Sequence, residues 1–327
     1  MLRLSAVLAL AAATAVLGGL ADALASGHAG RALAFGAGLV GLALLHPLVL
    51  AVEMLLAHRA ALLGLASAAA QPHCFASVLP SPAAPTPDPV RSLRPWIRAW
   101  RAEVRVSLRA FAWRMPWRVR AEPDHLPHGA RGQRGVLLVH GYLCNRALWN
   151  DWIARLRAQG VPVVAVNLEP VLGRIQDTVH AIEAGVQRLE ACTGVAPLAV
   201  AHSMGGLALR CWWAAHGGDA RLHHALTLAT PHRGTWLARF GQSPNARQMR
   251  PGSPWLQALA AAEPPGRAAH CTCVVATCDN VVFPSPQAVW SGAAVVSVEG
   301  AAHLDLIDRP QAWAALERML AGPGAGG

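Results

Sequence analysis

Pro197-Leu198-Ala199-Val200-Ala201-His202-Ser203-Met204-Gly205-Gly206 decides how the rest of the chain is read. An apolar run of strand length breaks into a turn, and an amphipathic stretch follows through Cys211-Trp212-Trp213. Small residues stand two before and two after Ser203, at Ala201 and Gly205. A tight strand-turn-helix corner needs that spacing, because bulky neighbours would collide across the turn. The corner pushes the Ser203 hydroxyl out at the start of a helix, where unpaired backbone N–H groups favour developing negative charge.

Working outward, Val136–Val139 is a buried-strand run ending in His140-Gly141-Tyr142. Trp149, Trp152, Ile153 and Leu156 share one helix face, which Gly160 stops. Residues 161–168 form a second apolar strand, and Ile175, Val179, Ile182, Val186 and Leu189 mark the next helix. After the corner come strands over 225–229, 273–277 and 293–298, and a last helix carrying Trp313 and Leu316. Apolar strands alternating with amphipathic helices predict a mostly parallel sheet covered on both faces. Ligands and reactive groups then gather beyond the C-terminal ends of the strands.

A serine hydroxyl needs a base, and the base needs an orienting acid; in a fold of this pattern they follow in the order Ser, acid, His. Asp279 comes directly after the 273–277 strand and His303 after the 293–298 strand and Gly300. Asp305 and Asp308 follow His303 and fit that order badly; Glu299 is a weaker alternative acid. Two N–H donors complete such a site: Met204, after the serine, and Tyr142, after the His140-Gly141 turn. His202, His223, His224, His232 and His270 read as structural or surface residues. Residues 235–268 are too apolar for a plain loop and read as irregular. With Trp236 and Trp255 as substrate contacts, they form either a lid or aromatics packed on the body of the domain.

The motifs Val139-His140-Gly141, Ala201-His202-Ser203-Met204-Gly205-Gly206, Ala229-Thr230-Pro231-His232-Arg233-Gly234-Thr235, Asp279-Asn280-Val281-Val282 and Gly300 to His303 resemble bacterial lipases and esterases of the α/β-hydrolase superfamily. The resemblance covers residues 134–320. It implies hydrolysis of acyl or lipid esters by Ser203, His303 and Asp279, with no metal and no cofactor. Acyl transfer to another acceptor would use the same residues, and a non-catalytic membrane scaffold would retain only the fold.

The N-terminal third is of another kind. Residues 4–21 and 32–52 carry no charge, spans of 18 and 21 residues. Each is long enough to cross a bilayer as a helix. They read as a transmembrane hairpin within an anchor of residues 1–59; the alternative is a cleaved signal peptide ending near Ala23-Leu24-Ala25, with one span left. A Pro-rich linker over 60–90 follows, then a basic amphipathic helix over 91–120, then the catalytic domain over 121–327. All 28 basic residues are Arg, and the net charge is +10. Residues 91–120 hold nine of those Arg against one acid, Glu103. The basicity therefore belongs to one segment, which argues against a nucleic-acid surface and leaves membrane lipid as the partner. With basic flanks held inside, the catalytic domain is expected on the cytoplasmic side of the inner membrane. Arg91, Arg94, Arg98, Arg101, Arg105 and Arg109 line one helix face and Leu93, Trp96, Ile97, Trp100, Val104, Leu108 and Phe111 the other. Such a helix either lies in the membrane interface or packs on the core. The seven Cys show no metal-ligand spacing.

Overall fold

Six short strands account for the centre of the molecule: β1 Val136–Val139, β2 Val163–Val166, β3 Leu198–His202, β4 His224–Leu228, β5 Cys271–Ala276 and β6 Ala294–Val298. In this computed structural model, residues 2–63, 90–217 and 220–321 are described. Most of the Pro-rich linker and the Gly-rich tail lie outside the described residues, as do the side chains of 2–13, which hold much of the first uncharged span. The sheet order is β2-β1-β3-β4-β5-β6. Every neighbouring pair is parallel, with β1 pairing β3 from Val136↔Leu198 to Val139↔Ala201.

The strands read as unbroken apolar runs because both faces are buried. Leu137, Val139, Ala199 and Ala201 enter one core with α5 (Val179–Thr193) and α6 (Met204–Trp212). Their alternates Val136, Leu138, Leu198 and Val200 enter the other, with α4 (Asn150–Ala158) and α8 (Pro310–Ala321). Adjacent side chains on a strand point to opposite faces, so one run supplies both cores.

Before the sheet lie α1 (Leu2–Ala25), α2 (Ala29–Leu62) and α3 (Leu93–Leu108). Among the described residues, one helical segment, Leu44–Leu62, is long and apolar enough to cross a membrane by length and composition. The helix expected over 91–120 is shorter: α3 ends at Leu108, the backbone widens to a π-helix over Arg109–Arg114, and α3 packs on the protein. Its buried face is Trp96, Ala99, Glu103, Val106 and Ser107, while Leu93, Ile97 and Leu108 are exposed. The sequence-derived apolar stripe is therefore rotated, because α3 must meet two surfaces at once. Trp100 Nε1 donates to the Pro47 carbonyl of α2 (2.9 Å), and His46 Nε2 lies 2.8 Å from Ser107 Oγ. Val106 meanwhile joins the sheet core. The boundary drawn at residue 59 falls inside α2. Met54, Ala57 and Ala60 pack with Trp96 and Ala99 of α3 and with Cys278, Phe283 and Ala302 of the sheet domain.

Residues 235–268 are more regular than expected. They include a short helical segment, Pro244–Gln248, and α7, Pro254–Ala262. Ser253 caps α7 by accepting from the Leu256 N–H (3.2 Å), and Pro254 occupies the first turn, where its missing N–H costs nothing.

Candidate active site

The corner after β3 stores backbone strain. Ser203 has φ 54° and ψ −129°, a conformation that a non-glycine residue holds only when its surroundings impose it. Ser203 N–H donates to the Leu228 carbonyl (2.8 Å), and Gly206 N–H donates to the Ser203 carbonyl (3.0 Å), so both sides of the turn are tied down. Gly205 has no room for a side chain: a Cβ there would run into the His140 carbonyl oxygen at the end of β1. Ala201 is fully buried and fits its place, so the corner does not need glycine on its strand side.

Ser203, His303 and Asp279 converge beyond the C-terminal ends of β3, β6 and β5. His303 Nε2 is 3.0 Å from Ser203 Oγ, and His303 Nδ1 is 3.1 Å from each Asp279 oxygen. Asp279 Oδ1 also accepts from the N–H groups of Val281 (2.8 Å) and Val282 (2.7 Å), which fixes the carboxylate in the turn after β5. All three residues are buried. Burial pulls the imidazole pKa of His303 down. The opposing charge of Asp279, its hydrogen bond, and the charges of Glu103 and Glu53 outweigh that pull, and the net shift is upward.

The alternative acids weighed from the sequence do not reach the imidazole. Asp305 pairs with Arg309 (2.6 Å), Asp308 pairs with Arg109, and Glu299 is exposed. The two expected N–H donors belong to residues on either side of this corner in the fold, Met204 directly after the serine and Tyr142 directly after Gly141, the glycine that lies against it. Met204 opens α6. Tyr142 follows Gly141, where an added Cβ would sit 2.8 Å from Ser203 Cβ and 3.1 Å from the His202 carbonyl oxygen. Glycine there lets the turn after β1 lie directly against the serine. His140 holds that turn: its Nε2 accepts from the Leu168 N–H (2.9 Å), and burial lowers its pKa to about 4, which keeps the ring neutral.

The two tryptophans separate. Trp236 meets Phe283 (ring centroids 5.6 Å apart), four residues past Asp279, and Phe240 (5.1 Å), which is 65% exposed. Trp255 packs on the main core instead.

Four residues of this neighbourhood carry no catalytic role in the sequence reading, which takes His202 as structural or surface and meets Asn280 only inside a motif. His202 Nε2 donates to the His303 carbonyl (3.2 Å), Asn280 Oδ1 accepts from His303 N–H (3.4 Å), and Glu53 and Glu103 approach from α2 and α3. Only Glu103 carried a signal: it is the single acid of an Arg-rich segment and stands seven residues from Trp96, on the same helix face.

The donor atoms of His232, Cys271 and Cys273 lie within 4.8 Å of one another and are buried. Proximity in the fold brings them together where spacing gave no sign. The His232 nitrogens are already engaged, Nδ1 with the Arg210 guanidinium (3.3 Å) and Nε2 with Thr227 Oγ1 (3.0 Å). A neighbouring guanidinium opposes a bound cation.

No family model matches the chain, and no curated protein sequence does. Solved structures do. The Bacillus licheniformis lipase BlEst2 in its mature form superposes with a TM-score of 0.53 at 15% identity, over 61% of this chain and 97% of that one. Aspergillus fumigatus lipase B gives 0.53 at 19% identity, over 64% of this chain and 58% of that one, so the match spans little more than half of the fungal lipase. The chain has the α/β-hydrolase fold, and its structural neighbours include lipases and esterases.

Proposed function

We propose that the protein is a membrane-anchored serine hydrolase of carboxylic esters, with lipid acyl esters as its substrate class. One observation carries the reading: the unbroken line of hydrogen bonds from Ser203 Oγ through His303 to Asp279, at 3.0 and 3.1 Å, behind a strained corner. In the first half-reaction His303 Nε2 takes the Ser203 proton as Oγ bonds to the ester carbonyl carbon. The carbonyl oxygen becomes an oxyanion, held by the N–H groups of Met204 and Tyr142. Asp279 keeps Nδ1 protonated and stabilises the imidazolium. Collapse of the intermediate breaks the C–O bond, and the alcohol leaves with the proton from His303. Water then attacks the acyl-enzyme with His303 again as base, releasing the carboxylic acid and restoring the serine.

The anchor is the hairpin of the two uncharged spans, with the catalytic domain cytoplasmic. Its supports are the apolar, outward-facing Leu44, Leu45, Leu48, Val49 and Val52 of α2, and exposed Trp113 and Trp117 in an Arg-rich neighbourhood. Protease added outside intact spheroplasts is expected to leave residues 121–327 uncut; digestion from that side contradicts this topology.

The acyl chain lies along Trp236 and Phe283, which pack with Met54 of α2. Hydrolysis of p-nitrophenyl esters of graded chain length tests both activity and this placement. Trp236→Ala is expected to lower the ratio of long-chain to short-chain hydrolysis with little change in Tm. Trp255→Ala is expected to lower Tm and keep the wild-type profile. Identical chain-length profiles for wild type and Trp236→Ala would remove Trp236 from the acyl site. An absence of hydrolysis for every ester would remove the function.

A further inference from the structure

Glu103 is 3% exposed, although it belongs to the most basic segment of the chain. Its carboxylate turns inward and accepts the Leu304 N–H with both oxygens (3.0 Å each) and the Asp305 N–H with Oε2 (2.8 Å). Those two N–H groups directly follow His303. Burying a carboxylate is costly unless its lone pairs and its charge find partners. The lone pairs find the backbone of the His303 loop, and the charge finds the imidazole. A second acid arrives by a parallel route. Glu53 of α2 accepts from Asn280 Nδ2 (2.8 Å), and Asn280 Oδ1 accepts from the His303 N–H (3.4 Å).

We propose that Glu103 is a positioning residue for His303: from α3, 201 residues before Leu304 in the chain, it clamps the backbone beside the catalytic base and sets a second buried carboxylate against that loop. The inference rests on reading His303 as the base. It makes the N-terminal helices part of the working site and not merely a tether.

The electrostatics agree in direction. Burial pushes the Glu103 carboxyl up to about 7 against the pull of His303 and of its two backbone donors. On the other side, Glu103 and Glu53 add to Asp279 in favouring the protonated imidazole. The groups facing His303 are Ser203, Asp279, Glu103, Glu53 and the ring of His202, which burial and the His303 charge keep neutral. Around Glu103 stand His303, Asp279 and Asp305, the last paired with Arg309. The sign follows. The base works when neutral, so activity rises with pH through the His303 transition. Removing a negative neighbour moves that transition to lower pH. Because Glu103 and His303 titrate against each other, the transition belongs to the pair.

The test uses the full-length protein in detergent micelles and a soluble short-chain ester. Glu103→Gln keeps the size and an acceptor oxygen but removes the charge; Glu103→Ala removes both. The readouts are kcat and KM against pH, and NMR titration of the His303 imidazole, its signal identified by loss in His303→Asn. Glu103→Gln is expected to move the acidic limb and the His303 titration down by about one pH unit. It is expected to lower kcat about tenfold, with KM nearly unchanged. Glu103→Ala is expected to lower kcat further. If Glu103→Gln lowers only Tm and leaves both the limb and the His303 titration at their wild-type positions, Glu103 is a structural contact and the proposal is overturned. If the wild-type protein hydrolyses no ester, the hydrolase reading fails separately, and the NMR titration still decides whether Glu103 sets the imidazole.

Discussion

Ser203→Ala is expected to lower kcat for ester hydrolysis by roughly 10⁶ while the protein stays folded. The loss is that large because the serine supplies the bond-forming atom. Without it His303 has no nucleophile at 3.0 Å to activate, and the N–H donors of Met204 and Tyr142 act on an ester that nothing attacks. The fold survives because the change removes one hydroxyl from a turn held by backbone bonds to Leu228 and Gly206. The Ala side chain must still accept φ 54° and ψ −129°, so a small fall in Tm is compatible with the prediction. Circular dichroism and kcat on the same purified sample check it. A folded Ser203→Ala protein that keeps most of its activity would sink the assignment.

Asp279→Asn is expected to cost about 10⁴ in kcat, less than loss of the serine. The substitution preserves shape, and the Val281 and Val282 N–H groups still find an oxygen. What changes is the side facing His303. An amide nitrogen there donates where the carboxylate accepted, so the imidazole is driven to the tautomer whose Nε2–H cannot take the serine proton. The imidazolium also loses its nearest counter-charge. Since Asp279 is the strongest influence raising the His303 pKa, the acidic limb of the residual activity should move to lower pH. The pH dependence of kcat/KM reads both effects. A residual rate within tenfold of wild type would mean that Asp279 is not the orienting acid.

The α/β body is legible in the chain because its signals are local. The apolar runs at 136–139 and 198–202 are strands, the run read at 273–277 is the strand 271–276 displaced by two residues at its start, and two-faced burial explains why they do not alternate. The corner at Ser203 is encoded within ten residues, and the order Ser, acid, His directs attention to Asp279 and His303. The hidden features depend on long-range packing. The place of Glu103 on the Trp96 face marks it as unusual, but nothing near Glu53 or Glu103 in sequence says which loop, 279–305, the two acids will meet. The apolar stripe of α3 reads in sequence as a single interface, whereas the helix serves α2 and the sheet core together, so its buried face lies a few residues away from that stripe. The capped helix 254–262 is hidden among prolines, although Ser253-Pro254 is itself a helix-start signal. Trp236 and Trp255 look alike in sequence, and only the fold separates one beside Phe283 from one on the core.

The central claim is that Ser203 is an activated nucleophile, and covalent capture tests it most directly. A fluorophosphonate ester reacts with such a serine by forming an Oγ–P bond and expelling fluoride, the serine proton passing to the adjacent imidazole. Because the chain has no Lys, trypsin cuts only at Arg and releases Ser203 within residues 189–210, a peptide that contains no other serine. Mass spectrometry of the labelled full-length protein is expected to find one phosphonyl group, on Ser203 in that peptide. Labelling is expected to vanish in Ser203→Ala and to slow greatly in His303→Ala. Folded wild-type protein that takes up no label, or label that persists unchanged in Ser203→Ala, would contradict the account.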